Sequence, residues 1–329
     1  MICTVTPNPS VDRTVEVSTL LRGEVLRAHG GGTDPGGKGV NVSRALHAQG
    51  VATVAVLPVG GHEGMVLRQL LAEHGVPATT VPVSGGTRGN ITVVDEHETT
   101  TKINLDGVPL TGEESERLVT AVAERLDAGA EWLVIGGSLP SDAPPDLCAR
   151  LVVAGRDRGV PVAVDTSGPA LEAVAHAGGV DLLTPNLEEL AELVGRELTT
   201  VGHVVDAAET VRGWGNTTVL TTLGAHGALL VNGEGTWWAG SPPVVARSTV
   251  GAGDCALAGY LAAGGAPAQE RLRHAVAWGA AAVALPGSAV PRPGQPRPHH
   301  VQLTADPAPD HKIKGGEPQA HRPAPGGLR

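Results

Sequence analysis

Residues 248–256 read S-T-V-G-A-G-D-C-A. A short extended-looking run, 244–247, precedes them, and an apolar helical run, 256–263, follows. A Gly-rich turn that opens a helix leaves backbone N–H groups unbonded, and these attract an anion. Asp254 is the odd member, because a carboxylate beside an anion site repels phosphate unless it has a chemical task there. Taking the proton from an attacking hydroxyl is such a task, so the stretch reads as the centre of a phosphoryl-transfer site. Gly251 to Ala256 also fit the dinucleotide pattern G-x-G-x-x-G/A. That turn normally opens the first βαβ unit, whereas this one lies late in the chain, and its acid would face a pyrophosphate. A purely structural glycine turn is the plain alternative.

Outward from this stretch, strand and helix patterns alternate. Strands are expected at 2–6, 53–57, 132–135, 162–165, 181–184 and 218–222, with a hairpin over 227–232 and 236–238. Helices are expected at 39–49, 63–74, 111–126, 146–156, 187–194, 204–213, 256–263 and 268–285. Thr111 followed by Glu114 makes a capping box for one of them. Such alternation predicts an α/β fold whose mostly parallel sheet is covered on both faces. Four short strands stand apart, because no helix follows them: 14–17 and 24–28 around Gly23, and 90–94 and 99–104 around a turn at 95–98. They predict a small separate sheet. From residue 291 proline recurs at 291, 293, 296, 298, 307, 309, 318, 323 and 325, so 291–329 reads as a disordered tail. Its His299, His300, His311 and His321 read as solvated rather than metal-binding.

Composition narrows the function. The 329 residues are 41% hydrophobic and 18% charged, with no Phe and one Tyr. The core must therefore be aliphatic, and the aromatic platforms of base-stacking nucleic-acid modules are missing. A formal net charge of −10 repels DNA and anionic membranes, so an anionic substrate needs a locally basic pocket. Cys3, Cys148 and Cys255 lie far apart and form neither a disulfide framework nor zinc spacing, which suits a reducing cytoplasm. The first residues show no signal-peptide pattern, and no run has the length of a membrane span.

Several other stretches carry polar chemistry. G-T-D-P-G-G-K-G (32–39) nearly fits the P-loop, but Gly39 stands where its Mg²⁺-binding hydroxyl would be, and no buried apolar strand precedes it. What remains is a Gly-rich helix start with Lys38, followed by Asn41, which can donate and accept toward sugar hydroxyls. G-G-S-L-P (136–140) resembles a nucleophile elbow, but Pro140 replaces its last Gly. Ser138 reads as a phosphate or sugar ligand or as a turn serine. In T-P-N-L-E-E (184–189), Asn186 and Glu189 share a helix face. They could hold Mg²⁺ through water, and taken alone they read better as a capping box. T-T-L-G-A-H-G (221–227) admits close backbone approach by a nucleotide or a plain hairpin start. N-P-S-V-D (8–12) ends the first strand, where an Asp commonly reads ligand hydroxyls. Arg88 could fork onto a phosphate.

Together the motifs resemble the ribokinase-like (PfkB-type) carbohydrate kinases over residues 1–290. The match runs in order through N-P-S-V-D at 8–12, G-G-K-G-x-N at 36–41, T-R-x-N at 87–90 and G-S-L-P at 137–140. P-N-x-x-E at 185–189, L-G-x-x-G at 223–227 and S-T-V-G-A-G-D at 248–254 continue it. Lys38, T-R-x-N and T-K-I-N (101–104) are similar to the phosphosugar branch, in particular to its fructose 1-phosphate kinases. The resemblance implies a three-layer α/β/α sandwich with a small β-sheet lid, its strands at about 12–30 and 88–105, that often pairs two subunits. It implies ATP and Mg²⁺ as cofactors and a phosphosugar as substrate, most closely fructose 1-phosphate phosphorylated at its C6 hydroxyl. Tagatose 6-phosphate and fructose 6-phosphate are the alternatives, and a non-catalytic sugar-phosphate sensor is a rival of another class. Asp254 would be the general base, and the N–H groups of the Gly251, Ala252, Gly253 turn and of Asp254 the anion hole. Asp12, Gly36, Gly37 and Asn41 would hold the sugar; Lys38, Arg88 and Ser138 its phosphate, with Asn104 nearby. Asn186 and Glu189 would organise Mg²⁺, and Asn186, Thr222, Gly224, Gly227 and Gly253 would serve the nucleotide. Thr184 stands where the family has Lys before P-N, and Cys255 where it has Ser. Asp34-Pro35 puts an acid before G-G-K-G.

Overall fold

The computed structural model describes residues 1–96, 99–107, 109–140 and 143–313. The chain starts with β1 (Ile2–Val5), which is buried along its whole length in the middle of a large sheet. A strand covered on both faces needs such an unbroken buried run. β2 (Ser10–Glu16) and β3 (Gly30–Gly36) leave that sheet. α1 (Lys38–Ala48), β4 (Thr53–Val59), α2 (Gly61–Glu73) and β5 (Ala78–Pro82) return to it. β6 (Arg88–Val94) and β7 (Thr100–Asn104) leave again. The alternation then continues with α3 (Gly112–Asp127), β8 (Trp132–Gly136), α4 (Leu147–Arg156), β9 (Val162–Asp165) and α5 (Gly168–Ala177). β10 (Leu182–Leu183), α6 (Leu187–Val194), α7 (Val201–Gly213) and β11 (Thr218–Thr222) follow. The hairpin β12 (Ala228–Asn232) and β13 (Gly235–Gly240), the helices α8 (Ala252–Ala262) and α9 (Ala268–Val283), and β14 (Gln302–Ala305) complete the described chain.

The large sheet has the order β14-β13-β12-β11-β10-β9-β8-β1-β4-β5. The strands from β5 to β11 are parallel, and the last three are antiparallel. Alternate strand residues feed two aliphatic cores, as the two-residue period of a strand dictates. Cys3, Val5, Leu133, Ile135, Val162 and Val164 pack with Leu118, Val122, Leu151 and Val204 of α3, α4 and α7. Ile2, Val134 and Ala163 pack on the opposite face with Leu46, Leu257 and Leu272 of α1, α8 and α9. The α/β/α sandwich therefore stands. Thr4, Ser43 and Thr53 join α1 to the sheet through buried hydroxyl contacts of 2.9 Å.

A second sheet, order β3-β2-β6-β7, is the expected small one, with two corrections. Its second strand is Gly30–Gly36, and 24–28 is irregular. G-G-G-T-D-P-G has poor β propensity, but the antiparallel ladder with β2 outweighs it. Gly31 (φ +152°) is required there, since a Cβ would strike the Thr14 carbonyl. The sheet's centre is a parallel pair, β2 with β6, which brings Asp12 opposite Asn90. β5 and α5 were not expected from the sequence, and residues 244–247 form no strand. Part of the expected 95–98 turn lies outside the described residues.

The tail expected from 291 does not hold over 291–313. β14 adds to the edge of the large sheet, Leu303 opposite Ala239, and Val301 and Ile313 are buried. An open strand edge at β13 offers backbone partners that composition does not show. Residues 314–329, His321 among them, lie outside the described part.

The Thr111 capping box forms as the spacing predicts: Thr111 Oγ1 accepts from the Glu114 N–H at 3.1 Å, and Glu114 Oε2 from the Thr111 N–H at 2.9 Å. Glu114 Oε1 also accepts from the N–H and hydroxyl of Ser84, at 2.7 and 2.8 Å. These bonds, the Ser84 N–H first, hold the buried Glu114 carboxyl down at about 2. Glu114→Ala should lower the unfolding free energy by about 1–3 kcal/mol in urea titrations at neutral pH. Because the folded-state pKa is depressed, the stabilisation is present above the ordinary carboxylate range. It fades as pH falls toward 2, so the gap between variant and wild type should close there.

Candidate active site

In a parallel sheet all the carboxyl ends lie on one edge, and a ligand cleft forms outside them. Here a cleft of about 460 Å³ opens there. Its floor takes Gly137 and Ser138 after β8, Asp165 at the end of β9, Thr184 and Asn186 after β10, and Thr222 at the end of β11. The starts of α1 (Gly37, Lys38, Asn41) and α8 (Gly251, Gly253, Asp254) converge on it. The small sheet contributes Ser10, Asp12, Arg88, Asn90 and Lys102.

Asp254 sits in the first turn of α8 and is only 6% exposed. Gly251 before it is left-handed (φ +75°), which sets the turn. The N–H of Ala252 bonds back to the Thr249 carbonyl at 3.3 Å, so it is not a free anion donor. The N–H groups of Gly253 and Asp254 make no such bond among the described residues and stay available at the positive end of the helix. Burial, reinforced by the charge of Asp165, pushes the Asp254 carboxyl up to about 7; the Asn41 hydrogen bond and the charges of Lys38 and Arg44 oppose this. Asn41 Nδ2 donates to Asp254 Oδ2 at 2.8 Å.

Lys38 Nζ is 2.7 Å from Asp165 Oδ1 and 3.9 Å from Glu189 Oε1. Burial works against its charge, but Asp165, Glu189 and Asp254 outweigh that and hold it above the ordinary lysine range. Lys38 thus stays cationic, at the junction of both halves of the cleft. Asp12 Oδ1 accepts from Ser10 Oγ at 2.7 Å and Asn90 Nδ2 at 2.8 Å, which fixes the carboxylate for hydroxyl recognition. Arg88 is anchored on the Asn8 and Leu105 carbonyls, at 3.1 and 3.2 Å, and its buried Nε has no partner among the described residues. Asn8 Nδ2 donates to Ser138 Oγ at 3.3 Å.

The cleft gathers Asp12, Gly37, Lys38, Asn41, Arg88, Ser138, Asn186, Glu189, Thr222, Gly251, Gly253 and Asp254 from the sequence candidates. Gly36, Asn104, Ala252, Gly224 and Gly227 do not line it. Gly36 is small because a Cβ would meet the Asp12 carboxylate. Gly227 (φ +86°) is needed beside the Ala239 carbonyl, a hairpin constraint. Asn104 pairs with Asn90 on the exposed edge strand. Asp165, Asn90 and Lys102 escaped sequence reasoning as site residues. The acid closing the buried run V-A-V-D was the available signal for Asp165, and T-K-I-N for Lys102.

Asn186 and Glu189 do form the capping box, with bonds of 2.8 and 2.9 Å. The cap engages Glu189 Oε2, and the carboxylate still borders the cleft, with Oε1 toward Lys38. No group of three or more His, Cys, Asp or Glu side chains suited to a metal occurs among the described residues. Mg²⁺ needs few protein ligands, keeping waters and phosphate oxygens, so Glu189 with Asn186 fits it.

Residues 6–294 match the pattern described as "pfkB family carbohydrate kinase". The chain belongs to this family and is a phosphotransferase that acts on a sugar hydroxyl. It is 36% identical over 291 residues to ATP-dependent 6-phosphofructokinase isozyme 2 of Escherichia coli (strain K12), covering 87% of this chain and 94% of that protein. It is 34% identical over 297 residues to 1-phosphofructokinase of Rhodobacter capsulatus, covering 89% and 93%. The crystal structure of phosphofructokinase-2 from Escherichia coli in complex with fructose-6-phosphate superposes with a TM-score of 0.80 at 35% identity, over 86% of this chain and 93% of that one.

With a raised carboxyl at its centre, the site should show a pH-dependent rate. If Asp254 serves as the base for an acceptor hydroxyl, it must be ionised, and protonation below about 7 would remove it. The value of kcat/KM should fall about tenfold per pH unit below that point and level off above it. A profile flat down to pH 5 would exclude Asp254 as the titrating base.

Proposed function

We propose that this protein transfers the γ-phosphoryl group of ATP to the C6 hydroxyl of fructose 1-phosphate. The observation that carries this reading is Asp254, a buried carboxylate at the free N–H end of α8 in a cleft that also holds Lys38, Arg88 and Lys102. Binding alone needs no such acid, so the reading favours a kinase over a sensor. Asp12 and Asn90 hold sugar hydroxyls, Arg88 and Lys102 the resident phosphate, with Ser138 beside them. Asp254 accepts the proton of the attacking hydroxyl while the N–H groups of Gly253 and Asp254, with Lys38, stabilise charge on the transferring group. Mg²⁺, held through Glu189 and Asn186, supplies charge neutralisation of the nucleotide phosphates when bound. Thr222 lines the nucleotide side of the cleft.

The second reading, fructose 6-phosphate as acceptor, is favoured by the 36% identity to a 6-phosphofructokinase. A coupled ADP-release assay with fructose 1-phosphate, fructose 6-phosphate, tagatose 6-phosphate, fructose and ribose separates them. The highest kcat/KM is expected with fructose 1-phosphate. Preference for an unphosphorylated sugar would contradict a phosphosugar substrate, and binding without turnover would indicate a sensor. Asp254→Asn should lower kcat by at least about a hundredfold while ATP still binds.

We place the protein in the cytoplasm, in keeping with three buried free thiols. We further propose that the small sheet acts as a lid and pairs with a second copy. Ile91 and Ile103 lie opposite each other on β6 and β7, 37% and 50% exposed, beside exposed Leu105. An apolar cross-strand pair left open suits a two-fold contact. Ile103→Asp should reduce the light-scattering mass from dimer to monomer; a monomeric wild type would refute the pairing.

A further inference from the structure

Arg44 lies one helical turn after Asn41 on α1, on the same face, and is 4% exposed. Its Nη1 donates to Asn41 Oδ1 at 3.2 Å, to the Pro35 carbonyl at 3.4 Å, and to the Ser288 carbonyl and hydroxyl at 3.2 and 3.4 Å. Its Nη2 donates to Asp34 Oδ1 at 3.1 Å. Asp34 and Pro35 belong to β3 of the small sheet, and Ser288 to the segment after α9.

A guanidinium only donates. It can therefore face only the oxygen of the Asn41 amide. The amide's NH₂ group is turned the other way, onto Asp254 Oδ2 at 2.8 Å. A flipped amide would set NH₂ against the guanidinium and oxygen against the carboxylate, losing both bonds. Arg44 thus reinforces the amide orientation that the carboxylate already favours, holding the oxygen end while Asp254 holds the NH₂ end. With Oδ2 held, Asp254 Oδ1 accepts no hydrogen bond among the described residues and is left for the acceptor hydroxyl. Burying a guanidinium is costly, and the buried Arg44 Nε has no partner among the described residues. An aliphatic residue would pack this face of α1 without that cost, so the arginine needs a reason beyond packing.

We propose that Arg44 is a positioning residue: it orients Asn41, and through Asn41 it fixes which oxygen of Asp254 meets the substrate, while tying that pair to β3 and to Ser288. This rests on the reading of Asp254 as the base.

The test is a double-mutant cycle with steady-state kinetics for ATP and fructose 1-phosphate. Arg44→Met should lower kcat about tenfold to a hundredfold, as misplacement of a reacting group does. Both KM values should stay within about threefold of wild type, because ground-state binding is untouched. In an Asn41→Ala background the same substitution should cost less than about twofold, since its effect is routed through Asn41. Arg44→Lys keeps the charge and a donor and should recover part of the loss. Should Arg44→Met fail to fold, Arg44→Lys in the same cycle carries the test, with the same non-additivity expected. Additive losses, or a raised KM with kcat intact, while Asp254→Asn is inactive, would overturn the inference alone. Turnover surviving in Asp254→Asn would overturn the base reading and this inference with it.

Discussion

The hydrogen bond from Asn41 to Asp254 is the contact on which the site depends. It joins the starts of two helices that lie over one face of the sheet, α1 and α8, and it keeps a carboxylate in place where burial and the charge of Asp165 oppose ionisation. The free N–H end of α8 would hold an anion by itself. With an oriented acid in its first turn it can also take a proton. Much of the fold supplies the support: buried hydroxyls seat α1 on β1 and β4, and the core on that face packs α8 and α9.

The small sheet supplies the other half of the cleft. Its parallel pair β2–β6 sets Asp12, Asn90 and Ser10 into a fixed hydrogen-bonded group, and Arg13 on β2 is bound to Glu63 of α2 at 2.9 Å. Substrate hydroxyls would thus meet groups already oriented, which lowers the cost of positioning at the moment of transfer. Arg44, on α1, reaches both halves, through Asp34 on one side and Asn41 on the other.

Sequence reasoning went furthest where local pattern and chemistry coincide. The alternation of buried strands and helices gave the sandwich, and glycines around Asp254 marked the helix start. It went less far where a role depends on what stands opposite. Asp165 looks like any strand-ending acid until Lys38 is seen 2.7 Å away. The glycine-rich Gly30–Gly36 becomes a strand only because β2 lies beside it. The proline-rich segment after 291 is drawn into the sheet by the edge of β13, which no composition reveals. Gly36 and Gly227 matter as glycines for the room and the turn they allow. The Asn186–Glu189 pair shows that a cap and a cleft contact can coexist, so the sequence alternatives there were not exclusive.

The most direct measurement is a crystal structure of the ternary complex with a non-hydrolysable ATP analogue and fructose 1-phosphate. The C6 hydroxyl should lie within about 3.2 Å of an Asp254 carboxylate oxygen, in line with the terminal phosphorus, with the analogue's terminal phosphate on the Gly253 and Asp254 N–H groups. A complex in which no sugar hydroxyl reaches Asp254, and another side chain contacts the one aligned with the phosphorus, would contradict the account.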